Sequence, residues 1–342
     1  PLDYEFAGVS AQSASDTDFL AASQDFSRTL SPELPAGLNA ARQLQWMQRT
    51  HPALWERTRI LLPYPQYWAW LLSGVACSEV SSLGCHTHLW NPASADFSLL
   101  ARKKGWAGLF APMRQAWELV GTVGPQRAAA WGLPAACEVH VGAHDSNACL
   151  VRYLHMAPLP QPWPEALTVV SSGTWSVLMA PGAPVNTLVA EKDMLGNVDV
   201  TGRVTATARF MGGREFAAIA QGADPHAASL EALHSLVQSQ TLALPSFAEQ
   251  GGPFAGCRGV LQRHGQALDP QEYSRFSPAE RATLAAVYCA QMCAWLSGYL
   301  WAGCTAARRR IVVEGPLAQN PVYMQVLQAL VPGNDCLAST DL

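Results

Sequence analysis

Charge is scarce in this chain. Asp, Glu, Lys and Arg make up 14% of its 342 residues, against 49% hydrophobic residues. A disordered segment shows the opposite balance, so this composition calls for a sizeable buried core, in one large domain or two medium ones. There is no excess of positive charge: the formal net charge is −4 and the pI is near 6.1. That removes the general electrostatic case for nucleic acid. The short basic run Arg308-Arg309-Arg310 reads as a solvated junction between a helix and a strand. No signal-peptide pattern opens the chain. No Cys-x-x-Cys occurs among the nine cysteines, and their odd number and apolar settings predict reduced thiols in a cytoplasmic protein. No Gly-x-Ser-x-Gly elbow occurs, which disfavours a serine hydrolase.

One long stretch without charge does exist, from Ala282 to Ala307. Its length raises the question of a membrane span. Ahead of it, Ser277-Pro278-Ala279-Glu280 is a capping box with Pro at the first helical position. Thr283, Gln291 and Ser297 interrupt the apolar character, and no second span accompanies it. The stretch is therefore expected as a helix to about Gly303, buried between a sheet and neighbouring helices, with no membrane partner.

Two short units concentrate the chemistry. Val139-His140-Val141-Gly142-Ala143-His144-Asp145-Ser146 is an apolar run, a glycine turn, a carboxylate and a helix start. Val169-Val170-Ser171-Ser172-Gly173-Thr174-Trp175-Ser176 places a Ser-Gly-Thr turn between two β-favouring runs. From the residues alone each has two readings. Asp145 is either a helix N-cap or a general base. Ser172, Gly173 and Thr174 form either a plain hairpin turn or a set of donors for an anion.

Elsewhere the periodicity predicts a helix over Asn39 to Arg57, broken or restarted at Pro52, with Leu44, Met47, Leu54 and Trp55 on one face. A second, aromatic-rich helix over Gln66 to Leu72 stops at Ser73-Gly74. A short helix is expected near Thr17 to Ser23 and another over Phe97 to Lys103; Pro158 to Pro164 reads as a loop. In a strand, residues two apart face the same way, so His86 and His88 with Cys85 invite a metal reading. Zinc needs three or four ligands, and no other His/Cys pair has matching spacing, so lining of a cleft is the preferred role. Near the end, Ile311-Val312-Val313 is a buried-type strand that leads through Glu314-Gly315-Pro316 to Asn320-Pro321 and a helix. A strand, a glycine turn and a helix N-terminus suit nucleotide contact.

Gly-Ala-His-Asp-Ser followed by Ser-Ser-Gly-Thr-Trp-Ser resembles the FGGY family of carbohydrate kinases, above all its L-rhamnulose and L-fuculose kinase branch. The resemblance covers nearly the whole chain. It implies an α/β fold of the actin/hexokinase (ribonuclease H-like) kind, with two domains around a central cleft. Residues 1–138 would be the remainder of a sugar-binding N-terminal domain, and 139–342 the nucleotide-binding C-terminal domain. The family opens with a glycine-containing phosphate hairpin and closes with further helices. The resemblance therefore leads one to expect roughly 80 or more residues ahead of Pro1, and further helices after the last strand.

The same resemblance implies ATP-dependent phosphorylation of a ketose or 6-deoxy-ketohexose, with ATP and Mg²⁺. It makes Asp145 the catalytic base and puts Ser172, Gly173, Thr174, Gly315 and Asn320 on the nucleotide. It puts Asp3, Glu5, His86 and His144 near the sugar. Glu314 and Pro316 depart from the family's Gly-Gly-Gly-x-x-Asn pattern, which favours an alternative, a non-catalytic sugar-binding or regulatory relative. A metallohydrolase built on His140, His144 and Asp145 is a third reading, with poor spacing. Homodimerisation is an option that the sequence leaves open.

Overall fold

The computed structural model describes residues 6, 8, 9, 25–134, 136–155, 166–304 and 309–339. Asp3, Glu5, the helix expected near Thr17 to Ser23, the loop Pro158 to Pro164 and Arg308 lie outside them. The chain forms two compact units. Unit one is Pro1–Met156 with Leu195–Thr205, and unit two is Ala157–Met194 with Ala206–Leu342. The sequence boundary near 138 thus falls inside unit one. The reason is strand pairing: β1 (Leu119–Thr122) takes β2 (Glu138–His140) as its antiparallel partner, which keeps the segment after 138 with the residues before it.

In unit one, α1 spans Ala40–Thr50. The helix expected to reach Arg57 restarts at Pro52, because proline removes a donor and clashes with the preceding turn. α2 spans Tyr64–Ser73 and ends at Gly74 in the left-handed conformation that glycine tolerates best (φ +80°). The helix expected from Phe97 begins at Leu99; Phe97 instead pairs with Trp90 in a two-residue ladder, and Ser98 caps the helix. Leu83, Leu89, Leu100, Trp106 and Val198 form one apolar cluster, and Ala69, Cys77, Val120, Val139 and Val141 form another. The second cluster seats the strand that leads to Asp145.

The segment holding His86 and His88 is not a strand. Both residues have positive φ, +40° and +61°, so the alternation that would bring their rings together does not apply. His88 is buried, and its Nε2 faces the carbonyls of Ser31 and Pro32 at 3.1 Å each. Burial pushes its imidazole down from 6.5 to about 4, so His88 is a neutral core residue at pH 7. The pairing of His86 with His88 is overturned.

Unit two is organised on a sheet. Its strands are β3 (Ala166–Ser172), β4 (Ser176–Pro181), β5 (Met194–Val198), β6 (Val204–Phe210), β10 (Arg309–Glu314) and β11 (Asp335–Ala338), in the order β11-β10-β3-β4-β6-β5. The outer part of the β5–β6 hairpin is the excursion Leu195–Thr205 that belongs to unit one. β10 runs parallel to β3 and β11, with Val312 opposite Val169 and Leu337, and β3 and β4 are antiparallel. The loop-rich stretch 244–266 follows β7 (Thr241–Leu244), which pairs with β8 (Val260–Arg263), itself joined to β9 (Gln266–Ala267).

Four helices of this unit bear on the site or its support: α3 (Gly212–Ala220), α4 (Leu230–Gln238), α5 (Pro278–Leu300) and α6 (Pro321–Leu330). α5 starts as its sequence predicts. Ser277 Oγ accepts from Glu280 N at 3.2 Å, and the Glu280 carboxylate accepts from Ser277 N at 2.8 Å. Ala282, Ala285, Ala286, Leu296 and Leu300 are almost wholly buried. Each large apolar side chain buried this way contributes roughly 1.5–3 kcal/mol, while the alanines let neighbouring helices approach. Among the described residues, no helix is long and apolar enough to cross a membrane.

Two cysteines sit in this core. Burial pushes the Cys293 thiol up to about 12 and raises that of Cys289. Thiol reactivity follows the thiolate, so neither should react in the folded protein near neutral pH, while exposed Cys257 should. Native-state maleimide labelling read by mass spectrometry should find Cys257 modified and Cys289 and Cys293 only after unfolding. Labelling of Cys293 as fast as Cys257 would show that α5 is not packed as described.

Candidate active site

In unit one the site is built by anchoring the backbone ahead of a carboxylate. β2 runs into Val141, and Gly142 turns the chain with φ +77°. Val141 N donates to Glu118 O at 3.1 Å and Gly142 N to Ala116 O at 3.0 Å. From α2, the buried Gln66 amide donates to the carbonyls of Val141 and Gly142 at 3.3 and 3.1 Å. His144 N donates to Ser81 Oγ at 3.1 Å. Ser81 Oγ in turn donates to Glu79 Oε2 at 2.6 Å, and Ser81 N to Glu79 Oε1 at 2.9 Å. Glu79 is fully buried; that burial raises its carboxyl, against hydrogen bonds from Ser81 and Ser82 that hold it down.

These anchors leave Asp145 at the head of a helix, Asp145–His155. The N-cap role falls to the residue before it, since His144 O accepts from Ala148 N at 2.9 Å. Among the described residues the Asp145 carboxylate accepts from Ser146 N at 2.6 Å and Ser146 Oγ at 3.3 Å. Its side chain is 92% exposed, and His144 Nδ1 lies 3.4 Å from Oδ1. A carboxylate presented to solvent beside an imidazole, on a backbone fixed from four directions, can accept a proton from a small ligand. His86 lies beside His144, with ring centroids 6.3 Å apart, and Cys85 Sγ is 3.3 Å from His144 Nε2. His140 does not join them: its Nδ1 donates to Trp117 O at 2.8 Å, and its Nε2 lies 3.5 Å from Glu138.

In unit two, Gly173, Thr174 and Trp175 form the tip of the β3–β4 hairpin, with Ser172 opposite Ser176. Gly173 and Thr174 are exposed. The tip is held from behind. Trp175 lies under the Arg209 guanidinium at 4.4 Å, Arg209 pairs with Asp193 at 2.9 Å, and Asp193 accepts from Gly252 N at 2.7 Å. The start of α3 abuts the tip: Gly213 N donates to Thr174 O at 3.2 Å, and a Cβ on Gly213 would lie 2.5 Å from Gly173 O. Glycine is required at 213 rather than at 173, where a Cβ would find ordinary space. A helix N-terminus beside an exposed turn is a setting that favours anions.

The remaining nucleotide-side residues have structural duties. Ser172 Oγ donates to Glu314 O and accepts from Leu317 N at 3.1 Å, so it straps the two loops together. Gly315 is seated against Ser172 with φ +82°. Asn320 caps α6 by accepting from Tyr323 N at 3.0 Å and donates to Pro225 O at 3.0 Å. It is buried, and both ends of its amide are engaged. Residue reasoning missed Gln66, Glu79, Arg209 and the need for Gly213. Only Gly213 left a sequence signal, as half of a Gly-Gly pair at a helix start.

Comparison with known proteins bears on both units. The model of the N-terminal domain of the FGGY family of carbohydrate kinases matches residues 22–151. The model of the carbohydrate kinase FGGY C-terminal domain matches residues 164–342. L-fuculokinase of Escherichia coli K12 is 30% identical over 151 residues, which is 44% of this chain and 30% of that relative's length. The chain is thus matched to under a third of that curated relative. The crystal structure of a carbohydrate kinase from Novosphingobium aromaticivorans superposes with a TM-score of 0.77 at 35% identity, covering 100% of this chain and 72% of that one. A xylulose kinase from Lactobacillus acidophilus shares the fold at a TM-score of 0.69 and 12% identity, over 94% of this chain and 64% of its own.

Proposed function

The chain belongs to the FGGY family of carbohydrate kinases, and from that membership we propose that the whole protein transfers the γ-phosphoryl group of ATP to a hydroxyl of a ketose or 6-deoxy-ketohexose. L-Rhamnulose and L-fuculose head the substrate class. The observation that carries the reading is the exposed Asp145 carboxylate on its anchored turn. In this mechanism Asp145 takes the proton of the attacking sugar hydroxyl as the bond to phosphorus forms, and His144 holds the carboxylate and meets the sugar. His86 stands beside His144, within reach of the same sugar. Gly173 and Thr174 meet the phosphates, with the α3 N-terminus beside them. Ser172 and Gly315 hold that turn against the adenosine-side loop, and Asn320 holds the helix after it.

Mg²⁺ bound with the nucleotide would neutralise phosphate charge and keep most of its waters. Substrate and nucleotide are consistent with a cytoplasmic setting. The division of labour proposed is sugar on unit one and nucleotide on unit two.

A coupled ADP-release assay on the full-length protein over a panel of ketoses and 6-deoxy-ketohexoses tests the reading. Sugar-dependent ADP release with at least one of them is the expected result. Tight sugar binding by calorimetry without any ADP release would replace it with the non-catalytic reading, to which the Glu314-Gly315-Pro316 departure points.

A further inference from the structure

Among the described residues, one group of three metal-binding side chains converges: Cys85, His86 and His144, each offering a ligand atom, all within 4.8 Å of one another. Sequence spacing alone had paired Cys85 with His86 and His88; the fold replaces His88 with a residue far along the chain. The second-sphere arrangement is the informative part. His86 Nδ1 lies 3.1 Å from the Leu38 carbonyl, which can only accept, so the proton sits on Nδ1 and that bond holds the ring in place. His144 Nδ1 faces the Asp145 carboxylate at 3.4 Å, while its Nε2 points at Cys85 Sγ, 3.3 Å away. A ring N–H donated to a carbonyl, as His86 has, is the support that orients a metal-binding histidine.

Distances and donor types agree. Zn–S of ~2.3 Å and Zn–N of ~2.0–2.1 Å at a tetrahedral ion put S and N about 3.5 Å apart. The Cys85–His144 pair is already near that separation, and the third atom needs to close by about 1.5 Å at most, within reach of a side-chain rotation. One thiolate and two imidazoles favour zinc over magnesium, which takes oxygen ligands. Three protein ligands leave a fourth position open to water.

We propose that Cys85, His86 and His144 form a zinc site, with water as the fourth ligand, and that its occupation switches the sugar site off. On binding, the Cys85 thiol loses its proton to solvent and the S–Zn bond forms; both imidazoles bind as neutral ligands through Nε2. Zinc then ties His144 to Cys85 and so withdraws that imidazole from the sugar. The inhibitory half rests on the kinase reading above; the metal site itself does not.

The experiment uses full-length protein, with Co²⁺ as the optical probe and Zn²⁺ as competitor. Wild type should bind one equivalent of Co²⁺ with a near-ultraviolet thiolate charge-transfer band and the visible bands of a tetrahedral ion, all removed by Zn²⁺. Cys85→Ser should lose the charge-transfer band, whereas Cys257→Ser, at an exposed thiol, should keep it. Asp145→Asn retains every ligand but weakens the support of His144, so Zn²⁺ affinity should fall on the order of 10–100-fold. His86→Gln and His144→Gln provide the same loss of coordination if Cys85→Ser does not fold. A wild type without the band, or a band unchanged in both Cys85→Ser and His86→Gln, overturns the site. Zinc that binds in one equivalent yet leaves ADP release unchanged overturns the inhibitory half. If no sugar is turned over, the cobalt titration still decides the site.

Discussion

Asp145→Asn should lower turnover by about 10²–10⁴-fold, the range that general-base catalysis typically supplies, while the protein keeps its fold. The structure sharpens this expectation. An aspartate serving as N-cap would bond the second or third amide of its helix, a role that asparagine fills about as well. Here His144 supplies the carbonyl that begins the helix, and Asp145 is the first residue inside it. Among the described residues its carboxylate accepts from Ser146 and lies beside His144 Nδ1. Asparagine keeps an oxygen for those contacts and gives up a negative charge in the first turn, worth about 0.3–1 kcal/mol. Melting temperature should therefore move by a few degrees at most. ATP affinity should persist, because the residues assigned to phosphate, Gly173 and Thr174, are not in unit one. The test is turnover, melting temperature and ATP affinity of the variant beside wild type, in full-length protein with Mg·ATP and an accepted sugar. Turnover close to wild type would remove Asp145 from the chemistry. A large fall in ATP affinity would mean that the two units do not divide sugar and nucleotide as proposed.

How much of this was legible beforehand depended on the range of the interactions. Local patterns read well. The Ser277–Glu280 capping box, the stop at Gly74 and the restart at Pro52 each involve residues a few positions apart, and each is found where its chemistry put it. The site's supports were not local. Ser81 meets His144 across 63 positions and Gln66 meets Val141 across 75. Glutamate is also a less usual N-cap than aspartate or serine, so nothing marked Glu79 as the residue that would fix Ser81. The His86 and His88 pairing failed for a different reason. It assumed extended backbone, and both residues lie at positive φ. Asn320 carried two readings of which one was overlooked. Asn followed by Pro321 is a helix-start signal in its own right, and the side chain is engaged in that role.

Gly315 is where the nucleotide-side reading and the backbone geometry meet, and Gly315→Ala should be the most destabilising small substitution in that loop. Two costs combine. The residue has φ +82° and ψ −160°, a region that is essentially glycine-only and costs roughly 1–3 kcal/mol for other residues. A Cβ would also lie 2.1 Å from the Ser172 carbonyl oxygen and 2.9 Å from Ser172 Oγ. The clash is with backbone that cannot swing away. Ser172 ends β3, whose neighbour Ser171 is paired with Glu314 in the sheet. The Ser172 hydroxyl bonds both Glu314 O and Leu317 N. Overpacking of this kind adds roughly 1–3 kcal/mol. At about 2–4 °C per kcal/mol for a domain of 150–250 residues, the melting temperature should fall by about 10 °C. Gly333→Ala is the matched control. It has φ +83° with nothing near the added Cβ, so it carries a positive-φ cost without the clash. The difference between the two variants reports the contact with Ser172 together with the cost of the Gly315 ψ of −160°. Because Ser172 leads directly into Gly173 and Thr174, ATP affinity of Gly315→Ala, measured well below its melting temperature, should fall as well, while Gly333→Ala should bind ATP as wild type does. Equal melting temperatures for the two variants would show that the loop moves freely off Ser172. A folded Gly315→Ala protein with unchanged ATP affinity would separate this loop from the nucleotide altogether.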